Sequence, residues 1–205
     1  TVMQYPGPDI FHPNPEFLFA KGAGPLFDIG PYYITTLVHI LGPVATVAAV
    51  GSRGRATRTV QVGERLGTEF AVEVPTHVSC IAQFEGGGVS QSVFSFQSPL
   101  VTMGMVEITG TEGTLIVPDP NAFTGEVKIT RAVELAAIGQ DPEWEIVPIT
   151  GALAGRGMGV LDMARSIRAN TRHLASGELG YHVLAILVSI EAAVESRSAV
   201  EVASP

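Results

Sequence analysis

The chain has 205 residues, 46% of them hydrophobic and only 16% charged, with a formal net charge of −8. That apolar content can fill a real core and excludes intrinsic disorder, while the acidic balance repels phosphate backbones and sets general nucleic-acid binding aside. The length points to one domain, the lone Cys80 cannot form an internal disulfide, and a charged fraction below the usual quarter or so points to surface hidden against a partner domain or subunit.

Residues 1–24 read as an irregular arm. Pro6, Pro8, Pro13 and Pro15 block a continuous helix, and Phe11, Phe17, Leu18 and Phe19 supply apolar anchors. Gly22-Ala23-Gly24-Pro25 leads into a predicted helix in which Leu26, Ile29, Tyr33, Leu37 and Leu41 recur at three- and four-residue steps, closed by Gly42-Pro43. Strands follow. Val44–Val50 is β-branched and bounded by glycines. Thr76–Phe84 and Val89–Phe96 flank Gly86-Gly87-Gly88, and Met103–Thr109 and Thr114–Val117 flank Gly110-Thr111-Glu112-Gly113. Glu126–Thr130 and Glu143–Ile149 add two more strands. Neighbours joined by such tight turns are antiparallel, because parallel ones need a long crossover.

Two helices close the chain. Met158–Ala169 sets Val160, Leu161, Ala164 and Ile167 on one side, and Glu178–Glu195 repeats Leu179, Val183, Ile186, Leu187 and Ile190 at helical spacing. The predicted fold is α+β, an open, mostly antiparallel sheet with helices packed on one face. The longest apolar runs, Val44–Val50 and Val183–Val188, fall short of the roughly 18 residues of a membrane span. Without a recognisable signal peptide or disulfide, the expected setting is cytoplasmic, and the Pro-rich opening at Thr1 reads as a piece of a longer protein.

Several chemistries fail on spacing. A dinucleotide fingerprint needs GxGxxG after a strand. Gly155-Arg156-Gly157-Met158-Gly159 breaks that spacing, and Gly22-Ala23-Gly24 is followed by Phe27 where the third glycine belongs. Lys21 and Lys128, the only lysines, sit in no phosphate loop. The histidines His12, His39, His77, His173 and His182 form no metal-ligand pair, so no metal is expected. No GxSxG elbow is present, and Cys80 reads as a small buried hydrophobe within a strand.

Polar chemistry concentrates instead near the start: His12, Asn14, Asp28, Tyr32, Tyr33, Thr35, Thr36 and His39. On a continuous helix Asp28, Tyr32 and Thr35 share a face. An acceptor, a phenol and a hydroxyl in one stripe suit a polyhydroxylated ligand. The same residues also admit a structural reading, with Asp28 favouring a helix start, the tyrosines packed in the core and Thr35 bonded to its own helix. His12 either projects from the arm toward a ligand or anchors the arm, and Arg156 either meets an anionic ligand or stays a solvated loop arginine. His39, His77 and His182 read as structural, with His182 a possible border of the cleft.

The run Gly22-Ala23-Gly24-Pro25-Leu26-Phe27-Asp28-Ile29-Gly30-Pro31-Tyr32-Tyr33, continuing to Leu41-Gly42-Pro43-Val44, resembles the C-terminal domain of the glucose–fructose oxidoreductase / inositol dehydrogenase / rhizopine-catabolism (Gfo/Idh/MocA) family. Val74-Pro75-Thr76-His77, Gly110-Thr111-Glu112-Gly113-Thr114-Leu115, Val117-Pro118-Asp119-Pro120-Asn121 and Gly177-Glu178-Leu179 follow in the family's order, and His12-Pro13-Asn14-Pro15-Glu16-Phe17 resembles one subgroup. The resemblance implies that residues 1–205 are the substrate-binding and oligomerisation domain of an NAD- or NADP-dependent oxidoreductase acting on a sugar, inositol or related polyol. The cofactor would be bound mainly by an N-terminal Rossmann domain that this chain lacks, so the chain alone is expected to be inactive and to assemble as a homodimer or tetramer through its sheet. The family's catalytic Glu-Lys-Pro lysine has no match here. Where many members carry a histidine and an aspartate, this chain has Tyr32 and Thr35. Tyr32 is therefore expected to act as a hydrogen-bond donor or proton relay, with His12, Asn14, Asp28, Tyr33, Thr35 and Arg156 binding substrate. The alternatives are a non-catalytic carbohydrate-binding or assembly module, and a cofactor-independent lyase or isomerase.

Overall fold

The computed structural model describes residues 1–132, 139–150 and 154–203. In chain order the elements are β1 (Val2–Gln4), α1 (Gly24–Asp28), α2 (Gly30–Leu41), β2 (Val44–Ser52), β3 (Thr57–Thr59), β4 (Glu69–Ala71), β5 (His77–Phe84), β6 (Val89–Ser95), β7 (Thr102–Gly110), β8 (Gly113–Val117), β9 (Val127–Arg131), β10 (Glu145–Val147), α3 (Met158–Ala169), α4 (Gly177–Ser196) and β11 (Val200–Glu201). The chain divides into two compact units, Thr1–Met103 with Ala175–Pro205, and Gly104–Leu174.

In the first unit five strands lie in the order β1-β6-β5-β2-β11. β1 runs parallel to β6, and the other pairs are antiparallel. The β5–β6 turn closes at Gly87, whose φ of 87° suits glycine. Pairing Val78 with Phe94 and Cys80 with Ser92 puts alternate side chains on one face. That face is buried: Val78, Cys80, Ala82, Phe84 and Phe94 pack with Tyr33, Ile34 and Leu37 of α2 and Val183, Ile186, Leu187 and Ile190 of α4 in the core. The alternate set stays open, with Val50, Ile81 and Val89 exposed. The expected one-sided α+β sheet is thus what the first unit builds.

α4 is long and apolar enough, by length and composition, to cross a membrane, which the run lengths alone missed. Here it is a core helix, since Ile186 and Ile190 are fully buried. Its start is set by Ser176, whose Oγ accepts the Leu179 N–H at 3.2 Å.

The predicted helix over 26–41 is two helices. Ile29 sits between them at φ −108°, ψ −30°, and α2 opens with a proline in its first turn. Pro31 has no N–H to continue the hydrogen bonds of α1, so the chain restarts rather than runs on. Gly42, at φ 86°, ends α2 by donating to the Val38 carbonyl. The arm is less irregular than expected: it holds β1 and two 3₁₀ turns at Pro8–Ile10 and Glu16–Leu18. β3 and β4 pair as a separate hairpin in the polar 53–73 stretch, where no strand was predicted.

In the second unit β7, β8, β9 and β10 follow one another as an antiparallel sheet. β10 is shorter than predicted. α3 has the predicted bounds, but Val160 and Ile167 of its apolar stripe are exposed and only Ser166 is buried.

Candidate functional site

The start of the arm is gripped by a buried arginine. Arg58, on β3, donates to the Pro6 carbonyl at 2.6 Å, to Asp9 Oδ1 at 2.7 Å and to the Phe96 carbonyl, and its guanidinium lies 5.1 Å from the Phe19 ring centroid. Arg58 and Asp9 are both buried, so each compensates the other's lost hydration. Tyr5 packs edge-on to Phe96 at 5.2 Å and stacks on Phe11 at 6.2 Å. Its backbone N–H donates to the Ser95 carbonyl, extending the line of β1.

Asp28 ends α1 and is half-buried, and burial pushes its carboxyl above the usual carboxylate range. The Tyr5 phenol is also pushed up, first by burial, then by the Asp28 and Asp9 carboxylates, against the pull of Arg58. Tyr5 and Asp28 therefore share one electrostatic environment. Sequence reasoning missed Tyr5, because Tyr5-Pro6-Gly7-Pro8 signals only extended chain, and the parallel pairing of β1 with β6 is not legible there.

The predicted Asp28–Tyr32–Thr35 stripe is interrupted by the α1/α2 break. Tyr32 is 46% exposed on the first turn of α2, and Thr35 is half-buried. Thr36 Oγ1 donates to the Tyr32 carbonyl at 3.0 Å, a bond within its own helix. Tyr33 is fully buried, edge-on to Phe94 at 5.9 Å, which puts its ring in the core.

His12 and Asn14 are brought together. The Asn14 N–H donates to His12 Nδ1 at 3.1 Å, and the His12 ring lies edge-on to Phe17 at 5.3 Å. Arg65, from the β3–β4 loop, donates to Asn14 Oδ1 at 3.2 Å and pairs with Glu16. The Arg65 hydrogen bond to Glu16 holds that carboxyl below its ordinary range. Arg156 is an exposed residue of the second unit.

Two of the remaining predicted residues are structural. His182 is buried and its Nε2 accepts the Val44 N–H at 3.0 Å, tying α4 to the start of β2. Burial pushes the Cys80 thiol up to about 12, the behaviour of a packed thiol rather than a nucleophile. His77 Nε2 lies 3.1 Å from Ser79 Oγ, and His39 is exposed near the end of α2. Among the described residues, no cluster of His, Cys, Asp and Glu could hold a metal. A groove of about 360 Å³ in the first unit is lined by Lys21, Phe27, Glu73, Glu191 and Glu195 among others. None of the predicted site residues lines it.

Among the described residues the parallel strands are not arranged as a dinucleotide cradle. β1 and β6, the parallel pair of the first unit, are separated in the chain by α1, α2 and the four strands β2 to β5, not by one crossover helix. A glycine-rich turn leading into such a helix is what a pyrophosphate needs.

The family model for the GFO/IDH/MocA C-terminal domain matches residues 1–116. The chain belongs to that family. The match takes in the arm, both parts of the broken helix and every strand from β1 to β7. Among solved structures, the chain resembles an NAD binding oxidoreductase from Klebsiella pneumoniae at 20% identity and a TM-score of 0.77, covering 100% of this chain and 58% of that one. It resembles levoglucosan dehydrogenase in complex with NADH and L-sorbose at 22% identity and 0.76, covering 99% and 58%. An oxidoreductase from Agrobacterium radiobacter, in complex with NAD+, L-tartaric acid and magnesium, matches at 15% and 0.64, covering 98% and 55%. The chain thus spans little more than half the length of these solved structures. No curated protein matches it.

Proposed function

We propose that this chain is the substrate-binding and oligomerisation part of an NAD(P)-dependent oxidoreductase acting on a sugar, inositol or related polyol. The observation that carries the reading is the family match over residues 1–116, which contains the whole array from Tyr5 through His12 and Asp28 to Thr35. In this reading a nicotinamide would accept or supply the hydride, and a separate N-terminal Rossmann domain would hold it. These residues form no cradle for that cofactor and handle no hydride themselves.

Their work is to present a hydroxylated substrate. Tyr32 offers an exposed phenol that donates to or accepts from a substrate hydroxyl. Asp28, its carboxyl raised by partial burial, offers acceptor oxygens to a substrate hydroxyl. His12 and Asn14 add a donor and an amide from the arm, Thr35 adds a hydroxyl, and Arg156 would meet an anionic group if the substrate carries one. With Tyr32 in place of the common histidine, the reacting hydroxyl's proton would go to the lysine of the other domain.

The exposed Val50, Ile81 and Val89 on the open sheet face support a homodimer or tetramer through that face. A cytoplasmic setting goes with the single, buried Cys80.

The test is a screen of the full-length protein for NAD- or NADP-linked absorbance change against a panel of sugars, inositols and their keto forms. Turnover on at least one member is expected. Tight sugar binding with neither nicotinamide binding nor turnover would instead support a non-catalytic carbohydrate module.

A further inference from the structure

His12 is held in a way that only one protonation pattern satisfies when the ring is neutral. A backbone N–H can only donate, so the 3.1 Å bond from Asn14 commits Nδ1 as the acceptor and leaves the proton on Nε2. The turn that makes this bond is gripped from outside. Arg65 donates to Asn14 Oδ1 and pairs with Glu16, bracketing the segment on both sides of Pro15. The same loop is seated against the arm at two further points. The Gln61 N–H donates to the Asp9 carbonyl at 3.0 Å, and Gly63, at φ 76°, lies so close that a Cβ there would come within 3.0 Å of Pro13 Cβ. No accepting partner for His12 Nε2 is seen among the described residues, and the ring's tilt is set by Phe17.

We propose that Arg65 is a positioning residue: by clamping Asn14 and Glu16 it keeps His12 in the Nε2–H form, as a fixed donor to an oxygen of the substrate. The proposal rests on the reading that the arm faces a hydroxylated or carbonyl substrate. It assigns the β3–β4 hairpin, which also fastens the arm through Arg58, a part in substrate recognition. A donor that contacts the same oxygen throughout the reaction contributes equally to the bound substrate and the transition state, so its loss raises KM and leaves kcat nearly unchanged.

The experiment uses the full-length protein with 15N-labelled histidine, the His12 signals being assigned by their loss in His12→Gln. Wild type is expected to show His12 as the single Nε2–H tautomer at a pH where the ring is neutral. Arg65→Ala should move both nitrogens toward the values of mixed tautomers and raise KM about 3- to 10-fold, the scale of one hydrogen bond, with kcat held within about twofold. Arg65→Lys, which keeps the charge but not the fork, should restore the nitrogen shifts and KM only in part. Glu16→Gln gives a second route to the same readouts with Arg65 intact. Unchanged His12 signals in both Arg65→Ala and Glu16→Gln would overturn the clamp. If those signals respond but His12→Gln leaves KM untouched, the clamp stands and the placement of His12 against substrate is overturned.

Discussion

Removing the Arg58 guanidinium should be the most damaging single change in the first unit. Arg58→Met keeps an apolar stem near Phe19 but leaves the buried Asp9 carboxylate unpaired and the Pro6 and Phe96 carbonyls without their donor. Breaking one partner of a buried ion pair costs about 3–5 kcal/mol, chiefly because the remaining charge stays buried. With a urea slope of about 2 kcal/mol per molar, a loss of about 4 kcal/mol moves the midpoint down by about 2 M. The double variant Arg58→Met/Asp9→Leu removes the stranded charge and should recover part of the loss, while the two carbonyls still lack a donor at about 1 kcal/mol each. Equilibrium urea unfolding of the four proteins of the cycle measures this directly. A loss below about 1 kcal/mol for Arg58→Met, or a double variant no more stable than that single one, would refute the claim that the pair is a compensated buried charge.

Asp28→Asn tests the cost of placing a carboxylate at the α1/α2 break. Burial raises the folded-state pKa, so the fold holds that proton more tightly than the unfolded chain and stability falls as pH climbs from the ordinary carboxyl range through the raised value. Asn should therefore raise the melting temperature at pH 7, make no difference near pH 3, and lower turnover. A melting temperature at pH 7 no higher than wild type would contradict the sign. Tyr32→Phe, at an exposed position, should leave stability within about 0.5 kcal/mol while reducing kcat/KM about tenfold for loss of one substrate hydrogen bond. Unchanged steady-state kinetics would remove Tyr32 from the site. His182→Leu leaves the buried Val44 N–H without its acceptor and should cost about 1–3 kcal/mol in urea unfolding, with faster hydrogen exchange at the Val44 amide. Ile81→Lys on the open sheet face should shift sedimentation velocity toward smaller species if that face is the interface, and an unchanged distribution would exclude it.

The elements with strong local signals were legible in the sequence. The β5–β6 and β7–β8 hairpins announce themselves through glycine turns between β-branched runs, and α4 through its apolar repeat. What was hidden depends on partners distant in the chain. β1 exists because it pairs with residues 93–95, 91 positions away, and β3 and β4 form from a charged stretch whose buried members, Arg58 and Phe70, find partners on the arm and at Phe96. The break at Ile29 followed from Pro31, which was visible, but the apolar spacing ran straight across it and suggested one helix.

For the site, His12, Asn14, Asp28 and Tyr32 could be singled out because polar side chains crowd an otherwise apolar segment. Tyr33 could not be separated from Tyr32 without knowing that the helix turns it onto Phe94. Arg65 lies fifty residues from Asn14 and carries no motif, so only the hairpin's seat against the arm reveals it.

The most direct test of the whole reading is isotopic. The full-length protein would be given a polyol from the screen with deuterium on the reacting carbon, together with oxidised nicotinamide cofactor, and the reduced cofactor examined by NMR or mass spectrometry. Direct transfer of deuterium to the nicotinamide ring is expected, with a slower rate but the same label position in Tyr32→Phe. Substrate bound at this surface with no label reaching the nicotinamide would contradict an oxidoreductase role for these residues.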